Sequence, residues 1–255
     1  MSIEFAIHSF CAENIGTENN WYSWKPINET LLPQGIAIPA GNEYERNIAL
    51  KNALSAAYKT AGRSRKIELT NYYIAIWGGV RANDVSTITS YSLSDEAALT
   101  QLGSSGIASW SKALCIRDPN NYCIFDARVS VAIHCLAILT CTEIDCWMPT
   151  LTSQNKRISE ANKWLRSSGK VRRKTSYKNT NFYERYLLAC RQISSRLGCP
   201  LSAVEMLLFT GAFDLYSLVR GIDTSQSDSS NQSIVSHFDF DRSAFVLPQT
   251  DDIHT

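Results

Sequence analysis

Leu99 to Ile133 reads LTQLGSSGIASWSKALCIRDPNNYCIFDARVSVAI, and this stretch decides the fold. The apolar end of one helix (Leu99, Leu102) runs into a turn with two glycines, Gly103-Ser104-Ser105-Gly106. A second apolar helix, Ile107 to Ile116, carries one basic residue, Lys112. A polar turn, Asp118-Pro119-Asn120-Asn121, reverses the chain, and Ile124-Phe125 leads to Asp126 at the head of a long apolar helix. The glycines permit a sharp turn with positive φ and leave backbone N–H groups uncovered at the start of the second helix. Such a start seats a phosphate. Asp126 stands where an N-cap belongs, with Arg128 and then Val129, Val131, Ile133 and Leu136 behind it. Antiparallel helices joined this way bring Lys112 and Asp126 to one mouth.

Working outward, residues 1–42 are the least regular part, with WYSWKP at 21–26 and prolines 26, 33 and 39. They are expected to form loops with at most a short strand or helix, packed on the core. Helical spacing of Tyr44, Ile48, Leu54 and Tyr58 predicts a helix over 42–60. Arg63 to Lys66 reads as a basic turn, and Ile67 to Trp77 as a helix stopped by Gly78-Gly79. A short helix follows Asn83, and Ser94 is expected to cap one over 95–102. Beyond Asp126 the helix should run to about Thr140. A helix over 155–165 precedes a basic loop containing Gly169, and Phe182 to Leu197 is amphipathic. Two last helices, 203–210 capped by Ser202 and 212–219, flank Gly211. Residues 223–255 read as a Ser- and Asp-rich linker and tail. The expectation is a mainly α chain: a core over 43–222 with its hairpin at 99–116, between an irregular N-terminal segment and the tail.

The 25 basic and 24 acidic residues give a formal charge of +1, so any nucleic-acid surface must arise from local clustering. The span 154–185 supplies it: Lys156, Arg157, Lys163, Arg166, Lys170, Arg172, Arg173, Lys174, Lys178 and Arg185 face only Glu160 and Glu184. An excess this one-sided points to an anionic partner, although a solvated charged loop has the same composition. The eight cysteines form no CxxC pair, and several lie in apolar runs. They read as reduced thiols behaving as small hydrophobes, with no metal or other cofactor. The N-terminus has no basic n-region or long apolar h-region, and no stretch reads as a membrane span, so a cytoplasmic protein is expected.

The order of glycine hairpin, lysine helix and IFDARV resembles the helix-hairpin-helix DNA glycosylases, closest to the 8-oxoguanine-glycosylase-like branch with a catalytic lysine. Bacterial members of that branch include proteins that act against phages with modified cytosines. The resemblance covers the hairpin stretch; elsewhere it is an all-helical background. It departs from the family pattern in lacking a proline before Gly103 and in placing Lys112 six residues beyond Gly106. It implies a two-lobed helix-hairpin-helix fold with Lys112 as nucleophile and Asp126 as its electrostatic partner. The partner would be double-stranded DNA carrying a damaged or modified base, with the protein at the nucleoid when bound. Neither a membrane nor an obligatory protein partner is implied.

Chemically, a neutral amine at C1′ of a nucleotide can displace the base and form a Schiff base. Apolar neighbours such as Trp110 and Leu114 favour the neutral form. Asp126 would stabilise the oxocarbenium-like sugar; an N-cap aspartate serves the helix alone equally well. Gly103, Ser104, Ser105 and Gly106 would grip one phosphate, and Arg128, Lys170, Arg172, Arg173 and Lys174 would add contacts to DNA. Trp21, Tyr22, Trp24, Trp77, Trp110 and Phe182 are candidates to receive an extruded base. A non-catalytic helical DNA-binding protein would use the same hairpin and basic loop.

Overall fold

The structure is a computed structural model describing residues 3–17, 21–142, 148–171 and 182–227. Among these residues it is helical, with no strand. The helices are α1 (Ile3–Asn14), α2 (Glu43–Thr60), α3 (Arg63–Asn71), α4 (Val85–Leu93), α5 (Glu96–Gln101), α6 (Ile107–Arg117), α7 (Ala127–Leu139), α8 (Lys156–Ser167), α9 (Phe182–Leu197) and α10 (Leu201–Ser227). The chain divides into two compact units, Met1–Val219 and Arg220–Thr255. Of the second, only the end of α10 is described.

Within the first unit the buried apolar residues form two clusters. The larger gathers α1, α7, α8, α9 and α10 with Trp110, Ala113 and Leu114 of α6. The smaller gathers Leu50, Leu54 and Tyr58 of α2, Leu69, Tyr72 and Tyr73 with Cys115, Ile116 and Ile124. Helix α6 therefore feeds both clusters, and all its residues from Ser109 to Ile116 are buried. That is why its sequence is apolar nearly all round instead of carrying one stripe.

Local chemistry explains the element boundaries. Asn42 caps α2 through a reciprocal capping box with Glu45. Asp84 caps α4, and Asp95 caps α5 by accepting from the Ala98 N–H at 2.8 Å. The cap of α5 is thus Asp95; Ser94 instead closes α4, donating its N–H to Ser90. Arg63 to Lys66 form the first turn of α3 and not a basic loop, because Gly62 supplies the extended N-cap backbone. The predicted stop at Gly78 holds, but α3 ends at Asn71 and continues as a π-helical turn, Tyr72–Trp77. Such turns often mark functional sites.

Two further differences concern the ends of the chain. Residues 3–14 form α1, whose Ile3, Phe5, Ala6, Ile7, Phe10 and Cys11 are buried. The helix packs against α7 and α9. And α10 is continuous where two helices were expected, with Ser202 inside it and residues 223–227 still helical. Gly211 sits mid-helix because a β-carbon there would come within 2.6 Å of Phe10 Cζ. The close crossing of α1 outweighs the helix penalty of a glycine, about 1 kcal/mol. As one rod, Leu201–Ile222 is long and apolar enough to cross a membrane, which corrects the expectation that no stretch reaches that length. Of that apolar window, 56% is buried inside the molecule.

Candidate functional site

The hairpin forms as expected. Gly103 (φ 57°) and Gly106 (φ 65°) take the left-handed conformation, and Gly106 is the N-cap of α6. The indole N–H of Trp110 donates to Ser105 O at 3.0 Å and fixes the turn on the core. The amides of Gly103 and Ser105 are donated within the turn, to Thr100 and Leu102, so those two do not point outward at a phosphate.

The segment leading to Asp126 is buried and irregular, a combination that demands a partner for each backbone group. Side chains supply them. Glu205 accepts from the Ile124 N–H at 3.2 Å and Ser111 Oγ accepts from the Phe125 N–H at 3.1 Å. Tyr183 donates to Cys123 O at 2.7 Å, and Tyr186 to Ile124 O at 2.9 Å. Asp126 then caps α7, its Oδ1 accepting from the N–H groups of Arg128 (2.9 Å) and Val129 (3.1 Å). The backbone leading to Asp126 is held from α6, α9 and α10 at once, and its carboxylate by the first turn of α7.

Lys112 and Asp126 line the same pocket, together with Tyr22, Trp24, Trp77, Gly78, Ile124, Glu205, Met206 and Phe209. Lys112 is 4% exposed, and its Nζ donates to Ala108 O, 2.5 Å away on its own helix. It makes no ion pair with Asp126. Burial pushes the amine below the usual lysine range, and the carboxylates of Asp126 and Glu205 oppose that push without cancelling it. Gly78 makes the room: a β-carbon there would lie 2.7 Å from Lys112 Cε and 2.7 Å from Ile74 O. Gly78→Ala is therefore expected to displace the amine and lower whatever reaction Lys112 performs by about tenfold. Mapping amine reactivity by peptide mass, wild type against variant, checks this.

Three of the six aromatic candidates stand in the pocket wall. Trp77 is fixed by stacking on Tyr73 (4.3 Å between centroids, 10° between planes) and by donating Nε1–H to Asn47 at 2.8 Å. Trp24 meets Phe209 edge-on at 4.8 Å. Tyr22 and Trp24 lie on irregular backbone, whereas Phe209 is on α10. Trp110, Phe182 and Trp21 lie outside the pocket: the first two are core, and Trp21 donates to Asn14 O at 2.8 Å. The cavity volume is about 30 Å³, room for a water molecule.

Arg128 is half-buried and makes no ion pair with the Asp126 carboxylate. Its guanidinium lies over Trp24 (5.2 Å), Phe209 (4.6 Å) and Phe213 (4.6 Å). These contacts tie its guanidinium to the pocket wall. Of the basic span, Arg157 also stacks on Phe213 and donates to Ser217 at 2.9 Å. Lys156 and Lys163 border a shallow surface depression with Ser153 and Glu160. The backbone N–H of Lys170 donates to Ser168 Oγ. Arg172, Arg173, Lys174 and Lys178 lie outside the described residues, as does Trp147.

Sequence reading missed four charged residues. Lys51 and Glu205 form a buried ion pair at 2.9 Å, with side chains 1% and 4% exposed. Lys25 and Arg81 sit beside the pocket. Lys25 donates to Ile76 O at 3.0 Å, and its amine is lowered by burial and then by the positive charges of Arg81 and Lys112. The available signal was a lone charge inside an apolar run, LSAVEMLLF for Glu205. His134 is a core residue, as read: its Nδ1 lies 2.7 Å from Ser130 O. Among the described residues the seven cysteines are free thiols and no cluster suited to a metal occurs.

No protein-family model, curated protein or solved structure matches the chain.

Proposed function

We propose that the protein is a DNA N-glycosylase of helix-hairpin-helix type, with Lys112 as nucleophile and Asp126 as electrostatic partner. One observation carries the reading: a desolvated amine and an N-cap carboxylate line one aromatic-walled pocket, on the two helices that follow a glycine hairpin. The two apolar clusters on either side of α6 support a two-lobed arrangement with the pocket where they meet.

The extruded nucleotide would place its C1′ at the Lys112 amine. One N–H of the neutral amine is spent on Ala108 O, which leaves the lone pair for attack. As the N–C1′ bond forms, the glycosidic bond breaks and its electron pair leaves with the base. The first proton shed by the attacking nitrogen accompanies the base; its lone pair then expels O4′ as the C1′–O4′ bond opens, O4′ takes the second nitrogen proton, and an imine is left. Asp126 stabilises the positive charge that builds on C1′ and O4′. Strand cleavage by β-elimination can follow from the imine. Because the cavity is water-sized, a base enters only as Trp24 swings from Phe209. The substrate is an oxidised guanine or a modified, for example glucosylated or hydroxymethylated, cytosine in phage DNA.

Borohydride reduction on a duplex with an abasic site tests the reading: the imine becomes a stable protein–DNA adduct. Adduct formation is expected to rise with pH as Lys112 deprotonates. Because burial lowers the amine, the plateau comes at lower pH than for an ordinary lysine. The water-sized cavity favours a second reading, a helical DNA-binding protein without catalysis. Salt-dependent binding with no adduct at any pH selects that one.

A further inference from the structure

We infer that Lys51 is a positioning residue for the amine chemistry: by holding Glu205 in a buried ion pair, it keeps that carboxylate from capturing Lys112. The geometry is specific. Glu205 reaches from α10 into the wall of the pocket that contains Lys112, the only Lys or Arg among the described residues that line it. Both hydrogen bonds to the Glu205 carboxylate fall on Oε2, one from Lys51 Nζ at 2.9 Å and one from the Ile124 N–H at 3.2 Å. Lys51 comes from α2, on the far side of α6 in sequence and from the smaller apolar cluster's helix.

A buried carboxylate must find a cation or be protonated. Two lysines and two carboxylates lie together here, and the pairing decides which lysine is charged. Lys51 lies against Glu205 and is held above the usual range. Burial, the largest single influence, would lower it; the charge and hydrogen bond of Glu205 together with Cys115 and Cys123 outweigh that. Lys112, given only its own helix's carbonyl, is left lowered. The other groups acting on Lys112 are Asp126 at the head of α7 and Cys115 on its own helix, which raise it, Lys51 itself, whose positive charge lowers it and whose direct effect the double variant separates from capture by Glu205, and Lys25 beside Trp24. Tyr22 adds a hydroxyl to the wall, and Tyr73 lies beneath Trp77 with its own titration raised by burial. None of these is a carboxylate within ion-pair distance of Lys112. Removing Lys51 frees Glu205 to take the Lys112 ammonium, which then holds its proton and cannot attack.

The inference rests on the glycosylase reading for its DNA arm only. The test uses the full chain and a small probe, formaldehyde with cyanoborohydride, with methylation of Lys112 followed by peptide mass across pH. In Lys51→Met the midpoint of Lys112 labelling is expected to rise by at least about one pH unit, which is about tenfold less label at neutral pH. In the double variant Lys51→Met/Glu205→Gln, residue 205 has no charge with which to capture the amine and Asp126 stands as in the wild type, so the midpoint is expected to return to near the wild-type position. The double variant also serves if Lys51→Met does not fold, since it buries no unpaired charge there. An unchanged or lower midpoint in folded Lys51→Met overturns the inference, and so does a raised midpoint in the double variant. Absence of a DNA adduct in the wild type, with the labelling pattern as expected, overturns the glycosylase reading and leaves the pairing of the lysines standing.

Discussion

Lys112→Met is expected to lower borohydride trapping on an abasic duplex by about 10³-fold or more while leaving the fold intact. The substitution keeps the unbranched chain that fits between Gly78 and α6 and removes only the amine. The lost hydrogen bond goes to a carbonyl of the same helix, Ala108 O, so no distant contact is broken. Replacing a desolvated amine by a thioether also removes the cost of burying a polar group. The melting temperature should therefore hold or rise. Gel analysis of the adduct beside a thermal melt checks both halves. Trapping at the wild-type level in this variant would strip Lys112 of its role, because no other amine lines the pocket.

The second large effect is at Asp126, where two roles are superposed on one carboxylate. Its Oδ1 caps α7 through the Arg128 and Val129 amides, and its charge faces the pocket with Lys112. Asparagine caps a helix about as well as aspartate, whereas alanine costs about 1 kcal/mol. Asp126→Asn is therefore expected to keep the melting temperature and lose about 10²- to 10³-fold in base excision. Asp126→Ala should lose the activity and stability together. Single-turnover excision beside a denaturant titration separates the two. If Asp126→Asn excises at the wild-type rate, the carboxylate is a cap and nothing more.

Much of this site was legible because local chemistry and tertiary need coincide there. Asp126 is at once an N-cap by position and a pocket residue by consequence. Phe182–Leu197 matches its expected bounds because its apolar stripe is wide and regular. Reading failed where a distant partner decided. The first helix carries Ile3, Ala6, Ile7, Phe10 and Cys11 at helical spacing, a stripe blurred by Phe5 beside it, and α7 and α9 cover it. Gly211 looks like a break in sequence and is a point of close approach in three dimensions. Lys51 and Glu205 are 154 residues apart, and a charge in a helix reads as solvent-facing until its counter-ion is found. Arg128 reads as a DNA contact in sequence; its stacking on three rings from the irregular segment and α10 is visible only in the fold.

The unbroken last helix has a consequence beyond its own packing. It delivers Glu205, Met206 and Phe209 to the cavity and, two residues beyond Phe209, presses Gly211 against Phe10. Helix α1 therefore acts as a buttress, steadying a wall without lining the cavity. Clipping it away should loosen the entrance without deleting a single group that meets the guest.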